Sequence, residues 1–319
     1  MRRRILRPFP VVLLVLIALV CPRARAEGVD AAKDKSEFLR FVDDGRGGGK
    51  LETALATYRN RDGVTVHLVA AVHIADQPYY DGLNKTFKDY DAVLYEMVKP
   101  KNAPAPRPGE ERSGSLISVV QRFMKDALDL QFQLDAIDYT RPNFVHADLD
   151  YETFEKMEEE RGESIWTLML RQMLKEMLDP PDNQPQFGLD DLMAALTSPD
   201  RSRQLKLLLG KQFSHIEDQM SGFGGTVLIT ERNKACFKAL DKQIDGGKKD
   251  LGIFYGAGHM SDMEQRLLDR GFHKTGVEWR VAWDLSQEGD KADKDDAKPA
   301  PKSKPKSDAD TIKIESVVH

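Results

Sequence analysis

The chain has 319 residues, with 47 Lys and Arg against 52 Asp and Glu, a formal net charge of −5. That acidic balance, without a basic patch interleaved with aromatics, argues against nucleic acid as a partner. Its two cysteines, Cys21 and Cys236, exclude a disulfide scaffold, so an apolar core must hold a domain of about 260 residues.

The first 26 residues read as processing sequence. A basic segment, MRRRILRPFP, precedes a ten-residue apolar run, VVLLVLIALV, and the small-x-small site Ala24-Arg25-Ala26. The run is shorter than the roughly 17–25 residues that span a bilayer. A cleaved export signal is expected, placing the protein in the periplasm or outside the cell. A retained anchor is the alternative, and Cys21 raises a lipoprotein. Without the six arginines of this segment, 41 basic residues face 52 acidic ones, about −11. The remaining Cys236 lies in the helical pattern ERNKACFKALDKQI and reads as a buried structural thiol.

LETALATYRN and VTVHLVAAVH are strand-like and separated by the turn signal Arg61-Asp62-Gly63. Asp76 is placed to cap a helix carrying Pro78 in its first turn. That helix runs to about Tyr90 and feeds the short apolar strand DAVLYEMV, which presents Glu96. Strand, helix and strand make a βαβ unit of a partly parallel sheet. KPKNAPAPRPGEERSG then leads out of the sheet, and residues 114–218 show mostly three- and four-residue periodicity. A helical insertion at about 105–220 is expected, interrupted by RPNFVHADLDYETF, where Asp150 can cap a helix. A helix through Glu231–Ile244 and the strand LGIFYGAGH restart the sheet. Ser261 and Glu264 have capping-box spacing, Gly271 ends the helix, and FHKTGVEWRVAWDL closes as a strand or hairpin. Residues 287–319 are charged and Pro-rich, and are expected to be disordered. The fold class is therefore α/β: duplicated βαβ-containing halves form a mixed central sheet in one domain at 27–286.

One arrangement occurs twice, 186 residues apart. An apolar run ends in His73, and another in His259; each histidine is followed by His-x-x-Asp spacing, to Asp76 and Asp262. Strand carboxyl ends beside helix N-termini are where open α/β sheets build sites. Adjacent parallel strand ends would bring His73 near Glu96, and two imidazoles with a carboxylate form a recurring metal set. Taken alone, His73 reads equally as a partly buried histidine bonded to backbone. His146 and Asp148 form a further polar pair, on one side of an extended run, with either a site or a structural role. His67 falls too far back along its strand to share the end with His73.

These motifs resemble those of the family named for TraB, GumN and the animal Tiki proteins, and more distantly the ChaN and erythromycin-esterase fold. The likeness covers about residues 45–285. It rests on Gly256-Ala257-Gly258-His259, on Ala70-Ala71-Val72-His73 with alanine for the family glycine, on Glu96 in LYEM, and on Glu231-Arg232-Asn233. The resemblance implies metal-dependent hydrolysis of peptide bonds, with manganese or cobalt favoured and zinc a further option. His73, Glu96 and His259 would hold the ion. Arg232 would face the developing oxyanion, or else form a structural salt bridge. Glu231 would be the general base, or else a solvated helix-cap charge, and His146 would contribute to the site. No HExxH occurs, which excludes a zincin by motif. The competing classes are a non-catalytic exported protein that sequesters a peptide or small ligand, and an envelope protein whose insertion docks a partner.

Overall fold

The computed structural model describes residues 38–107, 128–162, 189–213 and 226–286. The expected signal, the helical stretch at 164–178 and the charged tail lie outside them. In chain order the strands are β1 (Leu39–Asp43), β2 (Gly49–Arg59), β3 (Thr65–Ala71), β4 (Ile74–Ala75), β5 (Ala92–Tyr95), β6 (Gln131–Phe132), β7 (Phe144–His146), β8 (Asp250–Gly256) and β9 (His273–Asp284). The helices are α1 (Gln77–Thr86), α2 (Gln133–Ala136), α3 (Tyr151–Arg161), α4 (Leu189–Thr197), α5 (Arg201–Phe213), α6 (Arg232–Asp245) and α7 (Met260–Asp269). Among the described residues no helix is long and apolar enough to cross a membrane.

The central sheet is mixed. β3, β8, β5 and β7 run parallel in that order, while β2 is antiparallel to β3, to β1 and to β9. Leu55–Arg59 of β2 pair with both β3 and β9, so these two strands occupy opposite edges of β2. β9 is one continuous strand rather than a hairpin. The central parallel strands β3, β8 and β5 are apolar and mostly buried along their length; α6 packs on β5 and α7 on β3, while α1 packs on β9. The β2–β3 turn forms as its residues require. Asn60 Oδ1 accepts from the Asp62 and Val64 amides, and Gly63 takes a φ of +75°.

Three local expectations change. Within 105–220, β7 lies in the interruption expected at RPNFVHADLDYETF and joins the central sheet beside β5, whereas β6 falls on a stretch of helical periodicity and pairs with β4 in a second, two-stranded sheet. Asp76 is the N-cap residue of α1, but its side chain makes no cap bond; it accepts from Lys206 Nζ and the Asp284 amide instead. α7 begins with His259 as its N-cap residue, which puts Ser261 inside the helix, and Glu264 accepts from Tyr58 Oη at 2.7 Å. Asp150 does cap α3, through the Thr153 amide at 2.8 Å.

β8 lies between β3 and β5, and Gly252 at its centre lets Tyr90 pack against it. A Cβ at 252 would stand 2.7 Å from the Tyr90 ring, which also stacks on His67 at a centroid distance of 4.6 Å. Gly252→Ala is expected to lower stability by about 1–3 kcal/mol through overpacking. Urea unfolding measures this, and an unchanged midpoint would contradict the packing described.

Candidate functional site

β3, β8 and β5 are parallel, so their carboxyl ends meet at one edge of the sheet. Ala71 pairs in register with Gly256, and Tyr95 with Phe254. His73 follows β3 by two residues, His259 follows β8 by three, and Glu96 follows β5 directly. The strand order differs from the one expected. β3 and β5 are not neighbours; β8 stands between them, because the first crossover leaves a gap that the second half fills. Glu96 therefore faces the end of β8 before it faces His73.

Glu96 has three neighbours there. Oε2 accepts from the Gly256 amide at 2.7 Å, Oε1 accepts from Arg232 Nη2 at 2.7 Å, and Oε1 lies 3.7 Å from His259 Nε2. A Cβ at Gly256 would sit 3.3 Å from Glu96 Oε2, so a side chain there would crowd the carboxylate. Arg232 holds a second carboxylate in two-point fashion: Nε donates to Asp148 Oδ1 at 3.0 Å and Nη2 to Oδ2 at 2.6 Å. The Asp148 side chain is 0% exposed and that of Arg232 is 8% exposed. A π-helical turn, Val227–Glu231, precedes α6 and delivers Arg232 and Asn233 to this position.

Burial alone would raise the pKa of Glu96. The Arg232 guanidinium, then the His259 and His73 rings and the Gly256 amide, hold it well below the usual carboxylate range. Burial pushes the His259 imidazole down to about 4; Glu96 opposes that shift and Arg232 adds to it. His259 is thus neutral at pH 7, and Glu96, Asp148 and Arg232 carry one negative charge in excess.

The other expected residues fall as follows. His73 is exposed, yet near enough to act electrostatically on both Glu96 and His259. The surrounding backbone is held closely: Tyr80 Oη donates to Val72 O (2.9 Å), the Gln133 amide to His73 O (2.9 Å) and Trp283 Nε1 to Ile74 O (2.8 Å). Glu231 turns to Arg161 and Lys234, and these cations hold it below the usual carboxylate range, which weakens it as a base. His146 donates from Nε2 to Met97 O at 2.6 Å and is not among the groups around Glu96. Its neighbour Asp148 is. Cys236 is fully buried, and burial pushes its thiol pKa up. Asn233, which the sequence offered only as half of an Arg-Asn pair, bonds to His259 Nδ1 at 2.7 Å.

Among the described residues no three His, Cys, Asp or Glu side chains gather closely enough to form a complete ion-binding group. Glu96 and His259 supply two donors of the right kind, one hard oxygen and one imidazole nitrogen. Comparison with family models, curated proteins and solved structures finds no match to the chain.

Two outcomes follow. Asp148→Ala leaves a buried guanidinium short of a partner and is expected to cost about 3–5 kcal/mol in a denaturant titration; a loss below 1 kcal/mol would contradict the burial described. In ion-free protein, His259 has a folded pKa of about 4 against 6.5 for the free side chain. The unfolded chain therefore takes up the proton first, and stability should fall as pH drops from about 6.5 towards 4. His259→Gln should flatten that part of the pH–stability curve, and a variant with the wild-type slope would show that another group carries it.

Proposed function

We propose that this edge is the site of an exported metal-dependent hydrolase acting on peptide bonds. The observation that carries the reading is the buried pair of Glu96 Oε1 and His259 Nε2, 3.7 Å apart in a cluster with one negative charge in excess. A cation relieves that excess, and a carboxylate with a neutral imidazole suits Mn²⁺, Co²⁺ or Zn²⁺. His73, exposed at the neighbouring strand end, does not form a three-ligand group with them as it stands and would have to turn towards Glu96 and His259 to complete the set; the bound ion would supply an activated water and a Lewis acid.

The protein's own groups have separable tasks here. Arg232 and the Gly256 amide keep Glu96 ionised and aimed at His259. Asp148 keeps Arg232 in place, so the guanidinium acts first as a fixed countercharge to Glu96, whatever further contact it makes with substrate. His73, exposed at this edge, would be the first of these groups to meet a peptide. The resemblance to TraB, GumN and Tiki proteins supports the same assignment, and residues 1–26 support a location outside the cytoplasm. The parallel, side-by-side β3–α1 and β8–α7 units, each with a histidine between strand and helix, support reading the fold as two duplicated halves.

Protein purified without chelator, then stripped and titrated with Mn²⁺, is expected to bind one equivalent. Glu96→Ala and His259→Ala should each abolish that binding. The loaded protein should cleave members of a peptide library, and the stripped protein should not. Absence of stoichiometric Mn²⁺ or Co²⁺, together with no cleavage after either is added, would reject the reading. Peptide retention under those conditions would favour sequestration in the same cleft.

A further inference from the structure

Asn233 stands between two oxygen acceptors and one imidazole. Its Nδ2 donates to Asp262 Oδ2 at 2.7 Å and to His259 O at 3.3 Å, while Oδ1 faces His259 Nδ1 at 2.7 Å. Turning the amide over would set Oδ1 against a carboxylate and a carbonyl, acceptors with no proton to share. Asp262 therefore fixes the amide, and the amide oxygen requires a proton on His259 Nδ1. Arg266 fixes Asp262 in turn, with Nε 2.6 Å from Oδ2 and Nη2 3.2 Å from Oδ1. A neutral ring protonated on Nδ1 keeps its lone pair on Nε2, the atom 3.7 Å from Glu96 Oε1.

We propose that Asp262 and Asn233 are positioning residues that lock His259 in its Nδ1–H tautomer and so hold Nε2 open as an ion ligand. Imidazoles in water favour the opposite, Nε2–H form, which here would direct an N–H at Glu96 and close the gap. The consequence for ion affinity rests on the function proposed above; the tautomer does not.

The two histidines are not equivalent in this respect. Asp76 follows His73 at the spacing with which Asp262 follows His259. Its oxygens instead accept from Lys206 Nζ at 3.0 Å and the Asp284 amide at 2.8 Å. Among the described residues no side chain does for His73 what Asn233 does for His259. The repeated motif has one aspartate that serves its histidine and one that pins α5 and β9.

The test is a two-bond ¹H–¹⁵N spectrum of the full chain labelled at histidine, stripped of ions, at neutral pH. The His259 signals are those missing from His259→Gln. Nδ1 is expected to be protonated and Nε2 bare. Asn233→Leu should shift the ring towards Nε2–H and lower Mn²⁺ affinity about 10- to 100-fold, as removal of an orienting partner does. Asp262→Ala frees the amide and should act in the same direction, which covers a failure of Asn233→Leu to fold. Combining Asn233→Asp with Asp262→Asn reverses donor and acceptor between positions 233 and 262 while the side chain at 233 still accepts from His259 Nδ1, and should restore both the tautomer and the affinity. A wild-type ring protonated on Nε2 overturns the proposal, as does Nδ1–H persisting in both single variants. If the tautomer responds as stated while no form binds Mn²⁺, the relay stands and the metal reading fails.

Discussion

A guanidinium and two carboxylates removed from water are costly unless each finds its partners, and that requirement organises the edge of this sheet. Arg232 comes from the first turn of α6, Glu96 from the end of β5, and Asp148 from the loop after β7. The three can be buried only if these segments meet, so the ion pairs tie α6 and the edge strand to the centre of the sheet. Gly256 adds its amide from β8. The arrangement leaves one carboxylate charge over, beside a neutral imidazole.

The edge is built from unequal halves. His259 is buried, bonded through Nδ1 and packed edge-on against Tyr255 at 5.3 Å between ring centroids. His73 is exposed, and the backbone around it rather than its ring is held: Val72 O by Tyr80, His73 O by the Gln133 amide and Ile74 O by Trp283 of β9. One histidine is thus a fixed part of the protein interior and the other stands at its surface.

Much of this was legible in the chain. The apolar runs gave β3, β5 and β8, the Arg-Asp-Gly turn gave the β2–β3 hairpin, and the position of Glu96 near the end of its apolar run put it at the strand end. What escaped was non-local. No spacing reveals that β8 enters between β3 and β5, yet that order decides which histidine Glu96 faces. Asp148 was visible in FVHADLD beside His146, but only the arrival of α6 shows that the aspartate joins the site while His146 bonds to Met97. The Asp76 and Glu264 side chains followed local capping rules in the sequence. Tertiary partners, Lys206 and Tyr58, engage them in the fold.

The central claim is that the space between Glu96 and His259 is a cation site. A crystal of the full chain soaked in Mn²⁺, with data collected at the manganese absorption edge, tests it most directly. The account predicts an anomalous peak within bonding distance of Glu96 Oε1 and His259 Nε2, with Arg232 still paired to Asp148. An anomalous map empty at that position, with His259 donating an N–H directly to Glu96, would contradict it.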